Sequence, residues 1–166
     1  MNDSLMLLFL VVIVLIGAGD LSRYMADMAT GLGFEVFVCD PRPERAEAWT
    51  MPGVHVSREM PDDIVQRLQP DARTAVVALT HDPKLDDLAL IDALQTSAFY
   101  VGAIGSRSNS DARRRRLREH FEVNCHYITV AALSALADEG KLPKEKVAEA
   151  IAKYGLQTEK INPLHA

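Results

Sequence analysis

The stretch Val11–Asp40, VVIVLIGAGDLSRYMADMATGLGFEVFVCD, decides the fold. An apolar run stops at Gly17-Ala18-Gly19, and helical spacing follows, with Leu21, Met25, Met28, Ala29 and Leu32 on one face. Gly31 and Gly33 end that helix, since glycine tolerates left-handed backbone angles. Glu35–Cys39 is a second apolar run, closed by Asp40-Pro41. Strand, glycine turn, helix and strand make a βαβ unit, whose parallel sheet is buried on both faces.

The glycine turn suggests a ligand. Gly17 and Gly19 permit a tight bend and close backbone approach, and the first amides of the next helix point into the bend with the positive end of its dipole. A phosphate or pyrophosphate suits that place. Asp40, twenty-three residues after Gly17, stands where a Rossmann unit puts the acid that bonds ribose hydroxyls. Two features depart from the fingerprint: Ser22 holds the third glycine position, and Asp20 sets a negative charge beside the phosphate. The competing reading is a tight turn with Asp20 as helix cap and nothing bound.

Outward from this unit, the chain alternates in the same way. Val54-His55-Val56 reads as a short third strand, and Pro61 with Asp62 and Asp63 opens a brief helix through Leu68. Thr74–Leu79 is a strongly apolar strand. It runs into Thr80-His81-Asp82-Pro83, where Pro83 fits the first helical position and Asp82 the cap of a helix to about Gln95. His81 sits just past a strand's carboxyl end, the edge where open α/β sheets bind ligands, and histidine is a residue type suited to proton transfer and hydrogen bonding there. It reads either as a chemical group or as a structural histidine. Phe99–Ile104 is the next strand, followed by Gly105-Ser106-Arg107, a second glycine turn with a forked donor for phosphate or carboxylate. Arg113–Arg116 on the following helix cannot share one face. Two further helices, Ile128–Glu139 and Pro143–Tyr154, read as a hairpin with a tail from Gln157.

Composition limits the function classes. The 166 residues carry 48% hydrophobic side chains and a net charge of −5, which suits a real core and argues against general nucleic-acid binding. Cys39 and Cys125 form no CxxC or zinc pattern, as expected of a reducing, cytoplasmic compartment. The apolar Leu5–Ile16 is shorter than the roughly 20 residues of a membrane span, and no basic residue precedes Arg23, so no stable membrane insertion is expected. Leu5–Leu10 reads as a lead-in packed on the domain or as an artificial junction. The expected architecture is α/β: a Rossmann-like domain over 12–121, with a mostly parallel sheet of about five strands and helices on both faces, then a helical C-terminal extension over 122–166.

Three stretches in order carry a resemblance: LIGAGDLSRYMADMATGLGFEVFVCDPRPE, VVALTHDPKLDDLALIDAL and FYVGAIGSRSNSDARRRRL. They resemble the Rossmann-type domain of the XdhC/CoxI family, maturation chaperones for molybdenum hydroxylases such as xanthine dehydrogenase and carbon monoxide dehydrogenase. The resemblance implies binding of the molybdenum cofactor (molybdopterin, a pterin with a phosphate) and a xanthine dehydrogenase-type molybdoenzyme as partner. It implies cofactor contacts at Gly17, Gly19, Asp40, Gly105, Ser106 and Arg107, with Asp20 beside them, and a catalytic or contact role for His81 and Asp82. From Glu122 the chain departs from the family's glycine-rich GPxGLxIG segment and TPxEIA helix, which reads as family divergence, a fusion or a frameshifted end. Two alternatives stand beside the chaperone. One is an NAD(P)-dependent oxidoreductase, because Gly17, Gly19 and Asp40 also suit NAD. The other is a degenerate fragment that acts only in association; a homodimer is left open.

Overall fold

The computed structural model describes residues 11–159. The expected lead-in Leu5–Leu10 and the end of the tail lie outside them. Five strands form one sheet: β1 (Val12–Ile16), β2 (Glu35–Cys39), β3 (Val54–Ser57), β4 (Thr74–Ala78) and β5 (Tyr100–Ala103), in the order β3-β2-β1-β4-β5. Every pairing is parallel, with Val12 beside both Glu35 and Thr74 and Ile16 beside both Cys39 and Ala78. This is the five-stranded Rossmann-like arrangement expected from the sequence. β4 is buried along its whole length, which requires cover on both faces and explains its unbroken apolar run.

The crossovers are helical. α1 (Asp20–Gly31) joins β1 to β2, and a short α2 (Pro43–Ala46) precedes β3. α3 (Pro61–Leu68) and α4 (Pro83–Ala93) flank β4, and α5 (Arg107–His120) follows β5. Proline opens α2, α3 and α4, at the helical position where its lost amide hydrogen costs nothing.

The packed face of α1 overlaps the expected one only at Met25 and Ala29. Ser22, Ala26 and Ala29 are buried and Met25 is partly so, whereas Leu21, Met28 and Leu32 are exposed together with Tyr24. Small residues at i, i+4 and i+7 let the helix lie close on the sheet, so that stripe wins over the larger apolar one. Ser22 is tolerated in the contact because its hydroxyl donates to the Gly17 carbonyl at 2.5 Å. The core gathers Ile13, Leu15, Val36, Val38, Ala75 and Val77 from three strands, with Ala26, Ala29 and Trp49 against them.

The chain divides into two compact units, one running to Ser110 and one starting at Asp111, so the division falls within α5. In the second unit, α6 (Cys125–Asp138) and α7 (Lys144–Tyr154) form the expected hairpin. α6 starts three residues earlier than the spacing suggests, because Asn124 caps it by accepting from the amides of His126 and Tyr127 at 3.0 and 3.1 Å. The rings of His126 and Tyr154 stack at 4.6 Å and tie the two helices together. Gly140 and Gly155 take left-handed backbone angles where the helices end. Of the four consecutive arginines, Arg113 is buried and the other three are exposed. Among the described residues, no helix is long and apolar enough to cross a membrane.

Candidate functional site

A cleft of about 280 Å³ opens at the carboxyl ends of β1 and β4, the two central strands. The strand order reverses here, since β1 is followed in space by β2 on one side and β4 on the other. Open α/β sheets take their ligands at such a switch point.

The first wall is the glycine turn, with Gly17, Gly19, Asp20 and Leu21. Its two glycines do different jobs. Gly17 has φ +107°, and a Cβ there would lie 2.9 Å from Thr80 Cγ2 and 3.2 Å from the Thr80 nitrogen. It is required by the fold, because the turn presses against the end of β4. Gly19 has an ordinary φ of −94°, and a Cβ there would meet nothing within 4 Å. Its bareness serves the cleft instead. Gly19 also precedes α1 without any side-chain cap.

The residue between them is held from both sides. The Ala18 amide donates to Asp40 Oδ2 at 2.9 Å, and the Ala18 carbonyl accepts from Trp49 Nε1 at 3.0 Å. Arg23 covers the Trp49 ring at 5.0 Å and donates to the Ala48 carbonyl. The single tryptophan, on the polar segment after β2, therefore acts as a brace for the turn.

Asp40 is fully buried. Its Oδ1 accepts from the Arg42 amide at 3.1 Å and from Arg42 Nε at 2.8 Å, and its Oδ2 accepts from Arg42 Nη2 at 2.8 Å as well as from Ala18. Burial pushes the Asp40 carboxyl up, but the hydrogen bonds from Arg42 and Ala18 outweigh it and hold the group below the usual aspartate value. The sequence reading sends this carboxylate to a ribose; the structure commits it to the protein. Arg42 itself lines the cleft, and so does Arg45 on α2. Sequence reasoning missed both arginines. The available signal was their place two and five residues after the acid that closes β2.

Leu79, Thr80 and His81, with Ile104, also line the cleft. Thr80 fixes this loop: its hydroxyl lies 2.7 Å from Asp86 Oδ1 and 2.9 Å from the Asp82 carbonyl, and it accepts from the Asp82 amide. Asp86 is buried in the first turn of α4, where the helix dipole favours its charge. It was legible in sequence only as first-turn charge. His81 is exposed at the mouth of the cleft.

The remaining expected site residues lie elsewhere. Asp82 caps α4 by accepting from the Lys84 amide at 2.9 Å and does not line the cleft. Ser106 accepts from the Asn109 amide at the start of α5, and Arg107 is that helix's first residue. Gly105, Ser106 and Arg107 are exposed and outside the cleft lining, which reaches only Ile104 in the segment after β5. Cys39 lies below the site, its thiol donating to the Glu59 carbonyl; burial, aided by Glu59 and Asp40, pushes its pKa up to about 12 and keeps it unreactive near neutral pH.

Among known proteins, the chain is similar to the pyruvate dehydrogenase E1 component of Haemophilus influenzae, 58% identical over 68 residues, or 41% of this chain and 8% of that protein. The E1 component of Pseudomonas aeruginosa is 32% identical over 162 residues, 90% of this chain and 18% of the relative. The chain thus spans less than a fifth of these relatives' length. Among solved structures, a xanthine dehydrogenase from Bacillus halodurans superposes with a TM-score of 0.57 and 25% identity, over 66% of this chain and 32% of the other. The family model of the XdhC Rossmann domain matches residues 13–152, and the chain belongs to that family.

Proposed function

We propose that the chain binds the molybdenum cofactor in the cleft beside Gly19 and assists maturation of a xanthine dehydrogenase-type molybdoenzyme. The observation that carries this is the bare wall at Gly19 in a cleft at the switch point that Arg42 and Arg45 also line. Membership of the XdhC Rossmann family and the fold likeness to a xanthine dehydrogenase support it.

The residues present fit a pterin that carries a phosphate. Gly19 lets an oxyanion approach the start of α1 without meeting a side chain. Arg42 and Arg45 supply forked donors for its charge. Thr80, locked by Asp86, fixes the loop that brings His81 to the mouth, where an imidazole can donate to or accept from the ring. Leu21, Leu79 and Ile104 give apolar surface for a flat heterocycle. At about 280 Å³ the cleft is at the small end for ligand pockets, which favours a compact ligand over a dinucleotide. When bound, the cofactor supplies the metal-holding group that the client enzyme uses. This chain's residues grip its phosphate and leave the other end accessible for transfer.

Reconstitution tests the reading. Purified chain, loaded with the cofactor, is added to a cofactor-free xanthine dehydrogenase-type enzyme. Restored activity with the parent and none with Gly19→Val is expected. Equal restoration by both proteins would remove the cleft from the function.

The second unit invites a separate reading. The likeness to the Haemophilus influenzae E1 component covers 68 residues, long enough to span the whole unit from Asp111 to Ala166 and to extend beyond it. We propose that this likeness is centred on that unit and that the chain is a composite. Aligning each unit alone tests it: identity to the E1 components should concentrate after Asp111, and an even spread would refute it. No E1 activity is carried over to a chain that spans 8% to 18% of those proteins.

A further inference from the structure

The loop after β2 carries an acid that sequence logic assigns to a ribose and an arginine that sequence logic passes over. The structure reverses their roles. An ionised carboxylate offers about four acceptor positions. On Asp40 all are engaged, by Ala18 on one oxygen and by Arg42 on both. The side chain is fully buried, so no ligand hydroxyl reaches it.

Arg42 is different. Of its five N–H donors, one on Nε and one on Nη2 point at Asp40. The Arg42 side chain is 37% exposed, and the residue lines the cleft. Asp40 therefore fixes the direction of the guanidinium without consuming its outer edge. Because Asp40 cancels the charge of Arg42, net attraction for an anion at this end must come from a second cation. Arg45, one turn further on and exposed, lines the same cleft.

We infer that Arg42 and Arg45 form a subsite for a terminal phosphate, a phosphomonoester dianion, with Asp40 as the positioning residue that aligns Arg42. A monoester presents three oxygens and up to two charges, which two guanidiniums can share. A bridging diester presents one charge and two free oxygens, and a bare ribose diol presents no charge. The subsite therefore selects ligands that end in phosphate. Pterin phosphates and 2′-phosphorylated dinucleotides share that chemistry. The inference deepens the cofactor reading above and rests on the same cleft.

The test is isothermal titration of the full chain with two matched pairs of probes: a pterin methyl phosphate against its alcohol, and NADP against NAD. The parent should bind the phosphorylated member at least tenfold more tightly in one pair or both. Arg45→Ala should cut that preference by roughly ten- to a hundredfold. Its side chain is exposed, so the fold stays intact. Arg42→Lys keeps a cation near Asp40 but loses the planar fork, and should reduce the preference too. Asp40→Asn should weaken the phosphorylated member of a pair more than the unphosphorylated one, whereas a merely structural role would weaken both alike and leave their ratio unchanged. Equal affinity within both pairs, or a preference untouched by Arg45→Ala and Arg42→Lys, would overturn the inference. The two readings fail differently: a preference seen only with NADP sinks the pterin reading and keeps the subsite, whereas tight pterin binding with equal affinity within both pairs sinks the subsite and keeps the pterin reading.

Discussion

The Asp40 carboxylate accepts the Ala18 amide at 2.9 Å, so the acid just past β2 holds the middle of the glycine turn that leaves the neighbouring β1. Residues 22 apart in sequence are joined beneath the cleft, and the same carboxylate aligns Arg42. Turn and arginine are thus positioned by one buried charge. Hydrogen bonds to a charged group contribute about 1.5–3 kcal/mol each when broken singly.

Asp40→Asn should destabilise the fold by roughly 1.5–3 kcal/mol near neutral pH. The pH dependence follows from the lowered Asp40 value. A carboxyl depressed in the folded state contributes stability above its unfolded value, about 3.9, and loses it as pH falls through the folded value. The gap between parent and variant should be flat from about pH 7 to 5 and narrow below about pH 4. Urea melts of both proteins across that range measure it, and taking the difference cancels the other acids. A gap that widens on acidification would contradict the assignment.

The two glycines of the turn should separate fold from binding. Gly17→Ala places a Cβ against Thr80 at a positive φ and should cost about 1–3 kcal/mol of stability. Gly19→Val enters open space at an ordinary φ, costs at most about 1 kcal/mol as a poorer cap, and should abolish ligand binding. Thermal melts beside ligand titrations read both effects. The reverse pattern would put the ligand elsewhere.

Asp20 lines the cleft at the start of α1 and opposes the charge of any phosphate bound there. Asp20→Asn should raise affinity for a phosphorylated ligand several-fold. It should also lower stability by about 0.3–1 kcal/mol, because the helix loses a favourable first-turn charge. Weaker phosphate binding in the variant would mean that Asp20 contacts the ligand as an acceptor.

His81 lines the cleft, whereas Arg107 opens α5 outside it. His81→Ala and Arg45→Ala should therefore be non-additive in ligand affinity, because both face one ligand. His81→Ala and Arg107→Ala should be additive. A double-mutant cycle for each pair decides between Arg45 and Arg107 as the cation that shares the pocket.

Much of the frame was legible because each signal was local. β1 and β4 are unbroken apolar runs, and Asp82-Pro83 states where α4 begins. The buried face of α1 was legible only at Met25 and Ala29, since large apolar residues at 21, 28 and 32 outweigh small ones at 22 and 26 in any hydrophobic count, while close helix–sheet contact selects the small ones. At the candidate site, the carboxyl-end edge of the sheet, Gly17, Gly19 and His81 followed from strand ends, whereas the switch point needed the strand order. Arg42 and Arg45 did not, because the loop after β2 has no periodicity to aim its side chains. Nor did the Thr80–Asp86 pair, which exists only once the first turn of α4 meets the end of β4.

The most direct test of the central claim is mass spectrometry of ligand released from the chain purified out of cells that make molybdenum cofactor. A phosphate-bearing pterin should be released from the parent in near-stoichiometric amount and be lost from Gly19→Val. A dinucleotide in its place, or the pterin retained equally by the variant, would contradict the account.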